Sequence, residues 1–201
     1  MADNKELRID RVGAQGDGVA EHEGSQVFVP LTLAGERVRA EVNGERGRLL
    51  SVLEESPDRV APLCRHFGVC GGCSLQHMAP PVYAAWKQAQ VVAAFRSRGI
   101  DADVADVVTC AGKRRRAVFS AKRTSNGIVL GFHEAGSHEL IDLAMCPVVD
   151  DRIVAALPAL RDLVSPLASR RNEVRVIATW TEAGLDVALE VLARRLEGQR
   201  Q

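Results

Sequence analysis

Aromatic side chains are scarce in this sequence of 201 residues, because Phe, Tyr and Trp together make up only 4% of it. A core must therefore be built mainly from Val, Leu, Ile and Ala, and the 46% of hydrophobic residues are enough to exclude wholesale disorder. No apolar run reaches the ~18 residues that cross a bilayer. The polar N-terminus also lacks an apolar stretch of the signal-peptide type. We therefore expect a cytoplasmic protein without a membrane partner.

Net charge is absent as well, since 26 basic side chains balance 26 acidic ones. The balance is uneven along the chain: residues 1–60 hold 8 basic and 12 acidic side chains, whereas residues 61–147 hold 10 and 6. An anionic partner is therefore expected to be attracted to the middle of the chain.

Short β-type segments separated by glycine occupy the N-terminal part of the chain. Strands are predicted near residues 7–9, 26–30, 36–42 and 48–53, and Asn43-Gly44 is a strong hairpin signal. The glycines at positions 13, 16 and 18 are interpreted as turn residues. Five short strands fit an OB-like β-barrel, to which we assign residues 1–56.

The remaining residues, 57–201, are predicted to form a second domain of mixed α/β type, so the expected fold class is α+β. A helix is expected to begin at Pro80 and to end at Gly99. Further predicted elements are hairpins over 116–133 and 173–191, a helical stretch over 150–167 that two prolines interrupt, and a frayed end over 194–201.

Three of the five cysteines lie within ten residues, because Cys64, Cys70 and Cys73 follow the spacing C-x5-C-x2-C. Thiolates are soft ligands, and the two glycines inside the shorter gap let the backbone curl around a metal or cluster. A fourth ligand must come from elsewhere in the chain. Cys146 is the candidate, because Pro147 follows it as proline follows the last cysteine of many ferredoxin motifs.

Several interpretations of these cysteines remain open. A four-cysteine iron–sulfur cluster is favoured, but zinc bound by the three loop cysteines and His77 also has a compact spacing. Unligated core thiols are the third interpretation, and they would be an oxidation liability. Spacing alone does not separate iron from zinc. Cys110 has no motif around it and is interpreted as an ordinary thiol.

A basic run is the most charged part of the chain and lies in the predicted hairpin 113–133. Six cations fall within eleven residues that contain no carboxylate: Lys113, Arg114, Arg115, Arg116, Lys122 and Arg123. Arginine binds phosphate through two parallel hydrogen bonds and stacks on exposed bases, so these residues are predicted to bind RNA. A solvated strand edge protected by charge is the alternative. Phe119 and Phe132 are expected in the core rather than in stacking.

The cysteine loop, residues 63–78, resembles the cluster loop of the RNA (uracil-5-)-methyltransferase family, whose bacterial members modify 23S ribosomal RNA. The similarity continues through residues 7–53, which resemble the RNA-binding TRAM domain of that family, and through 114–117, 130–132 and 141–147. The resemblance implies ribosomal RNA as the partner. It also implies a [4Fe-4S] cluster whose ligands here are Cys64, Cys70, Cys73 and Cys146.

The catalytic apparatus of that family lies in a C-terminal domain that binds S-adenosylmethionine. Nothing after Cys146 supplies the repeated βα units and glycine-rich turn of such a domain, so no catalytic or methyl-donor residue is assigned and the chain alone is expected to be inactive. A separate methyltransferase domain is a possible partner. We therefore expect an RNA-binding, cluster-containing N-terminal portion of an rRNA (uracil-5-)-methyltransferase. The alternatives are a zinc-dependent RNA-binding module and a small iron–sulfur electron carrier.

Overall fold

The structure is a computed structural model that describes residues 3–110 and 112–192. The predicted frayed end, 194–201, lies outside the described residues. The described chain forms two compact units: one contains residues 3–67 and 73–109, and the other contains residues 68–72 and the described part of 110–192. Residues 57–67 and the helix after the cysteine loop thus group with the N-terminal sheet, whereas the sequence-based division assigns them to the second domain.

The first unit contains a curled sheet of six strands, in the order β1-β5-β6-β4-β3-β2. The strands are β1 (Asp3–Arg8), β2 (Arg11–Val12), β3 (Gly18–His22), β4 (Ser25–Val29), β5 (Arg37–Asn43) and β6 (Arg46–Glu54). All neighbouring strands pair antiparallel except β4 and β6, which meet in parallel at Phe28 and Arg46. The inner side of the sheet holds a buried aliphatic core of Leu7, Ile9, Ala20, Val27, Val29, Val38 and Ala40.

The described sheet has six strands against the five predicted for the barrel, and β2 and β3 match none of the four predicted ranges. Gly18 explains why β3 was not predicted. It begins strand β3 and pairs with Val29, so it is a strand residue and not a turn residue. A Cβ atom at this position would collide with the buried side chain of Thr32. Glycine here serves the close packing of two backbone segments, which a sequence pattern does not distinguish from a turn.

A buried ion pair fixes the segment that follows β6 to this sheet. The Glu36 carboxylate is fully buried and accepts hydrogen bonds from Arg59 Nε at 2.5 Å and Arg59 Nη2 at 2.8 Å. The backbone N–H of Leu33 donates to the same carboxylate at 2.8 Å. Burial raises the pKa of Glu36, but the bonds from Arg59 and Leu33 outweigh it, so the pKa lies below its ordinary value.

His77 is the second buried polar residue of this unit that matters for stability. Its ring is fully buried, packs on Phe67 with ring centroids 5.3 Å apart, and has no hydrogen-bond partner for either nitrogen among the described residues. Burial, reinforced by the charge of Arg59, lowers the pKa of His77 to about 4, and Glu36 and the Thr32 backbone act weakly in the opposite direction. The imidazole is therefore neutral in the folded protein near pH 7.

Helix α1 (Pro80–Arg96) also belongs to the first unit and confirms the predicted helix. Proline occupies its first turn, where the missing N–H would have no hydrogen-bond partner within the helix. Gly99 follows the end of the helix and has a φ of +71°, a conformation that favours glycine. None of the residues of α1 is fully buried. Its side chains still make contacts, since Trp86 Nε1 donates to the Val12 carbonyl at 3.4 Å.

The second unit is a four-stranded antiparallel sheet with two short helices. The elements are β7 (Arg116–Thr124), β8 (Gly127–Gly131), α2 (Asp151–Ala155), α3 (Leu157–Val164), β9 (Glu173–Thr181) and β10 (Gly184–Leu192), and the strand order is β10-β9-β7-β8. Both predicted hairpins are confirmed. The predicted helical stretch forms two helices because Pro158 lies in the first turn of α3.

The core of this unit lies between one face of the sheet and the two helices. Alternate residues of β7 and β9, such as Phe119 and Val176, are fully buried against Ile153, Leu157 and Val164 of the helices. The intervening residues of β7 form the open face of the sheet. Among the described residues, no helix is both long enough and apolar enough to cross a membrane.

Removal of the Arg59 guanidinium tests the buried ion pair. Arg59→Ala should lower the free energy of unfolding by about 3–5 kcal/mol, because it leaves the Glu36 carboxylate buried without a counter-charge. Arg48→Ala is the matched control, since Arg48 pairs with Glu41 on the exposed side of the same sheet and should cost less than about 1 kcal/mol. Urea unfolding followed by Trp86 fluorescence in a Trp180→Phe background measures both variants. Equal losses would contradict the assignment.

The pKa of His77 predicts how stability depends on pH. As the pH falls from 6.5 towards 4, the unfolded chain binds a proton at this residue that the folded chain does not, so stability should decrease across that window. A shift of this size corresponds to roughly 3 kcal/mol. In His77→Leu the decrease should become smaller by about this amount, whereas His66→Leu should retain it. A pH profile of the urea midpoint that is identical in all three proteins would disprove the prediction.

Candidate functional site

The predicted basic run lies where β7 begins, and its backbone is held from two sides. On one side, Arg116 pairs with Thr179 of β9, and the Trp180 N–H donates to the Arg115 carbonyl at 2.7 Å. On the other side, the Arg114 N–H donates to the carbonyl of Val148 at 2.8 Å. The three arginines therefore project from a fixed segment between β9 and residues 148–150.

A groove runs along this segment and has a volume of about 810 Å³. It is lined by Arg114, Arg115, Arg116, Thr179, Trp180, Thr181, Glu182 and Ala183. Its arginine side chains are exposed, and within the described residues none of the three forms an ion pair. Arg175, on the neighbouring strand, instead pairs with Glu190 at 2.9 Å. Three unneutralised guanidinium groups on a rigid backbone are well suited to bind an anion.

The other three predicted RNA-binding cations have different surroundings. Lys113 pairs with Asp151 at 2.5 Å, which neutralises its charge locally. Arg123 donates to the carbonyls of Ser165 at 2.5 Å and Ala168 at 3.3 Å, beyond the last residue of α3. Carbonyls at the end of a helix carry partial negative charge, so Arg123 stabilises the second unit rather than presenting a free charge. Lys122 is half-buried on β7.

The two phenylalanines near the basic run are part of the core, as predicted. Phe119 is fully buried, and its ring packs on that of Phe132 with centroids 5.1 Å apart. Neither ring lines the arginine groove.

Trp180 is the functional candidate that the sequence analysis missed. It lines the groove, and Arg152 lies over its ring with the guanidinium carbon 4.3 Å from the ring centroid. Asp150 accepts two hydrogen bonds from Arg152, which lower the pKa of Asp150 to about 2 and keep the pair charged. No local signal could have identified Trp180, because its proximity to the basic run depends on the pairing of β7 with β9.

The cysteine loop contains a glycine, Gly71, with little room for a side chain. The Gly71 N–H donates to the His133 carbonyl at 2.9 Å, and a Cβ atom at Gly71 would lie 3.1 Å from that oxygen. The Gly72 N–H points at Cys70 Sγ, at a distance of 3.5 Å. Backbone N–H groups that donate to sulfur are a common feature of iron–sulfur sites, because they stabilise the thiolate charge.

The remaining cysteines lie in separate local environments. Cys64 and Cys73 are half-buried, and the Cys64 N–H donates to the side-chain oxygen of Gln76 at 3.2 Å. Cys146 is half-buried against the core of the second unit. Cys110, which the sequence interpretation left out of the ligand set, is exposed. The described residues form no disulfide.

The donor set fits an iron–sulfur cluster in its chemistry, since four thiolates and a glycine pair that admits close approach are its usual components. Within residues 3–110 and 112–192, however, no group of three or more His, Cys, Asp or Glu side chains comes close enough to hold a metal ion. The His77 ring, required for the zinc alternative, is buried against Phe67.

Comparison with known proteins identifies relatives over almost the whole chain. It is 44% identical to an uncharacterized RNA methyltransferase of Brucella suis over 98% of its length and 48% of that protein, and 43% identical to one of Rhizobium meliloti over 92% and 46%. It is 38% identical to the 23S rRNA (uracil(1939)-C(5))-methyltransferase of Cronobacter sakazakii over 83% and 39%.

No protein-family model matches the chain. The chain spans about half the length of the curated relatives it matches. Over the part that it shares with them, the chain is similar to RNA methyltransferases, among them 23S rRNA uracil-C5 enzymes.

Proposed function

We propose that this chain is the RNA-binding portion of an S-adenosylmethionine-dependent rRNA (uracil-5-)-methyltransferase and that it holds a structural [4Fe-4S] cluster. The observation on which the proposal depends most is the groove of Arg114, Arg115 and Arg116, whose charges have no acidic partner among the described residues. Its relatives are named for RNA methylation, which makes RNA the anion that best fits this groove.

The charge distribution supports RNA as the ligand. A guanidinium group binds a phosphate through two parallel hydrogen bonds and can also stack on an unpaired base, so three adjacent arginines fit a folded RNA loop better than a small anion. The groove is open rather than enclosed, which suits a polymer. Residues 7–53, whose sequence resembles the TRAM domain of that family, are proposed as a second RNA-binding surface.

The proposed cluster would act on stability and not on the methyl-transfer chemistry. Ligation by Cys64, Cys70, Cys73 and Cys146 closes a loop of more than seventy residues, and crosslinks of such length stabilise proteins by several kcal/mol in the loop-entropy model. Four thiolates fill the protein coordination sites of a [4Fe-4S] cluster, which leaves no iron site for a substrate. The electron-carrier alternative is not favoured, because the relatives are named RNA methyltransferases.

Methyl transfer requires more than the residues described. In the proposed function, the chain binds and positions RNA, and a methyltransferase domain supplies the methyl-donor site and the catalytic groups. By analogy with the full-length relatives, that domain would bind S-adenosylmethionine and act on a ribosomal uracil. The zinc-dependent RNA-binding module remains the second candidate, and metal analysis distinguishes it from the first.

Metal content tests the proposed ligands. Protein purified without air should contain iron and acid-labile sulfide and absorb in the visible range. Cys73→Ala should lose most of that absorbance because one ligand is removed, whereas Cys110→Ala, an equally small change at a cysteine outside the set, should keep it. Zinc in a colourless protein would favour the alternative, and equal spectra for both variants would exclude Cys73 as a ligand.

The dependence of RNA affinity on salt tests the basic groove. Replacement of Arg114, Arg115 and Arg116 by Ala should weaken binding of single-stranded RNA and reduce the slope of log affinity against log salt by about 2, because ~3 phosphate contacts are lost. The charge-matched control replaces the exposed Arg98, Arg170 and Arg171, which do not line the groove. An equal change of slope in both triple variants would show that the salt dependence comes from the net charge of the chain and not from the groove.

A further inference from the structure

We propose that Trp180 and the arginine groove together form a subsite for one unpaired RNA nucleotide, with its base stacked on the indole ring and its phosphates on Arg114, Arg115 and Arg116. The inference rests on the proposed RNA-binding function and extends it from phosphate attraction to recognition of an unpaired base. Its basis is that one groove contains both an aromatic ring and a set of unpaired cations.

The indole ring is held in place before any ligand binds. Arg152 covers one side of the ring at 4.3 Å, and Asp150 holds Arg152 through bonds of 2.9 and 2.7 Å. The Trp180 backbone is bonded to Arg115, and the partly buried side chain packs on the core of the second unit. A ring fixed in this way loses little conformational freedom when a base stacks on it, which favours affinity.

The guanidinium of Arg152 also strengthens the ring as a stacking platform. A cation over an indole is attracted by the negative charge of the ring face, so Arg152 helps to hold the ring in one orientation. Arg152 is already committed to Asp150 and to the ring, so it is a positioning residue and not one of the proposed phosphate ligands. Trp180 is half-buried and is one of the residues that line the groove, so the base is placed on the part of the ring that Arg152 does not cover.

The groove also contains one carboxylate, which bears on where the parts of a nucleotide are placed. Glu182 lines the same groove as the three arginines and lies in the turn between β9 and β10. A carboxylate repels phosphate but accepts a hydrogen bond from a sugar hydroxyl. The phosphates are therefore placed on the arginines, and the ribose and base are placed towards Trp180 and Glu182. The 2′-hydroxyl of RNA is the group that a carboxylate would distinguish from DNA.

Single-strand selectivity tests the subsite. In the full chain, Trp180→Leu should weaken binding of fluorescein-labelled oligouridine about 5- to 100-fold, because base stacking on an aromatic ring is lost. It should leave the salt slope and the affinity for a paired RNA duplex nearly unchanged, whereas Trp180→Phe should retain most of the single-strand affinity. If Trp180→Leu and Trp180→Phe weaken oligouridine and duplex equally, or if neither changes the affinity, the subsite is refuted.

Fluorescence provides a second readout that does not require loss of the ring. The chain has two tryptophans, so Trp86→Phe leaves Trp180 as the single indole. Saturating oligouridine should quench its emission, and the duplex should quench it much less. Wild-type binding without quenching would refute the subsite but leave the RNA-binding proposal intact. Absence of wild-type binding to either RNA would refute the RNA-binding proposal itself.

Discussion

The antiparallel pairing of β7 with β9 is the interaction on which the second unit depends most. It joins residues 116–121 to 174–179 and places Phe119 and Val176 in one core. The same pairing continues past Arg116, because Trp180 bonds to Arg115. One set of backbone hydrogen bonds therefore both closes the core and fixes the arginines beside an aromatic ring. The proposed binding surface thus gains its rigidity from the strand pair that builds the core of the unit.

Some arginines of this chain are bound to carboxylates or carbonyls and stabilise the fold, whereas others carry a charge that can bind a ligand. Arg59 is bound to a buried carboxylate and fixes a segment to the first sheet, and Arg161 holds Asp142 and the carbonyl of Leu143 in the second unit. Arg123 uses its guanidinium on carbonyls after a helix. Within the described residues, the side chains of the groove arginines form no ion pair of this kind. A chain with zero net charge can therefore still present a local cationic surface, because its acidic side chains neutralise other positions.

Local signals predicted much of the fold, and long-range contacts account for what they missed. Pro80 begins α1, Gly99 lies three residues beyond its last residue, and Gly127 begins the second strand of a predicted hairpin. Each of these signals acts within a few residues. Gly18 was misinterpreted because its strand role depends on Thr32 across the sheet. No local signal indicates Trp180, because it lies sixty-five residues from Arg115 along the chain. Of the six predicted RNA-binding cations, three lie together in an open groove, whereas the side chain of Arg123 binds backbone carbonyls of the second unit.

Photochemical crosslinking tests the central claim that the groove binds RNA most directly. A fragment of 23S rRNA that contains uracil 1939, the position in the name of the Cronobacter relative, would be prepared with 4-thiouridine and irradiated with the full chain. Peptide mapping should place the major crosslinks within the segments that line the groove, residues 114–116 and 179–183. Crosslinks confined to other segments, with these two unmodified, would contradict the assignment of the groove as the RNA-binding surface.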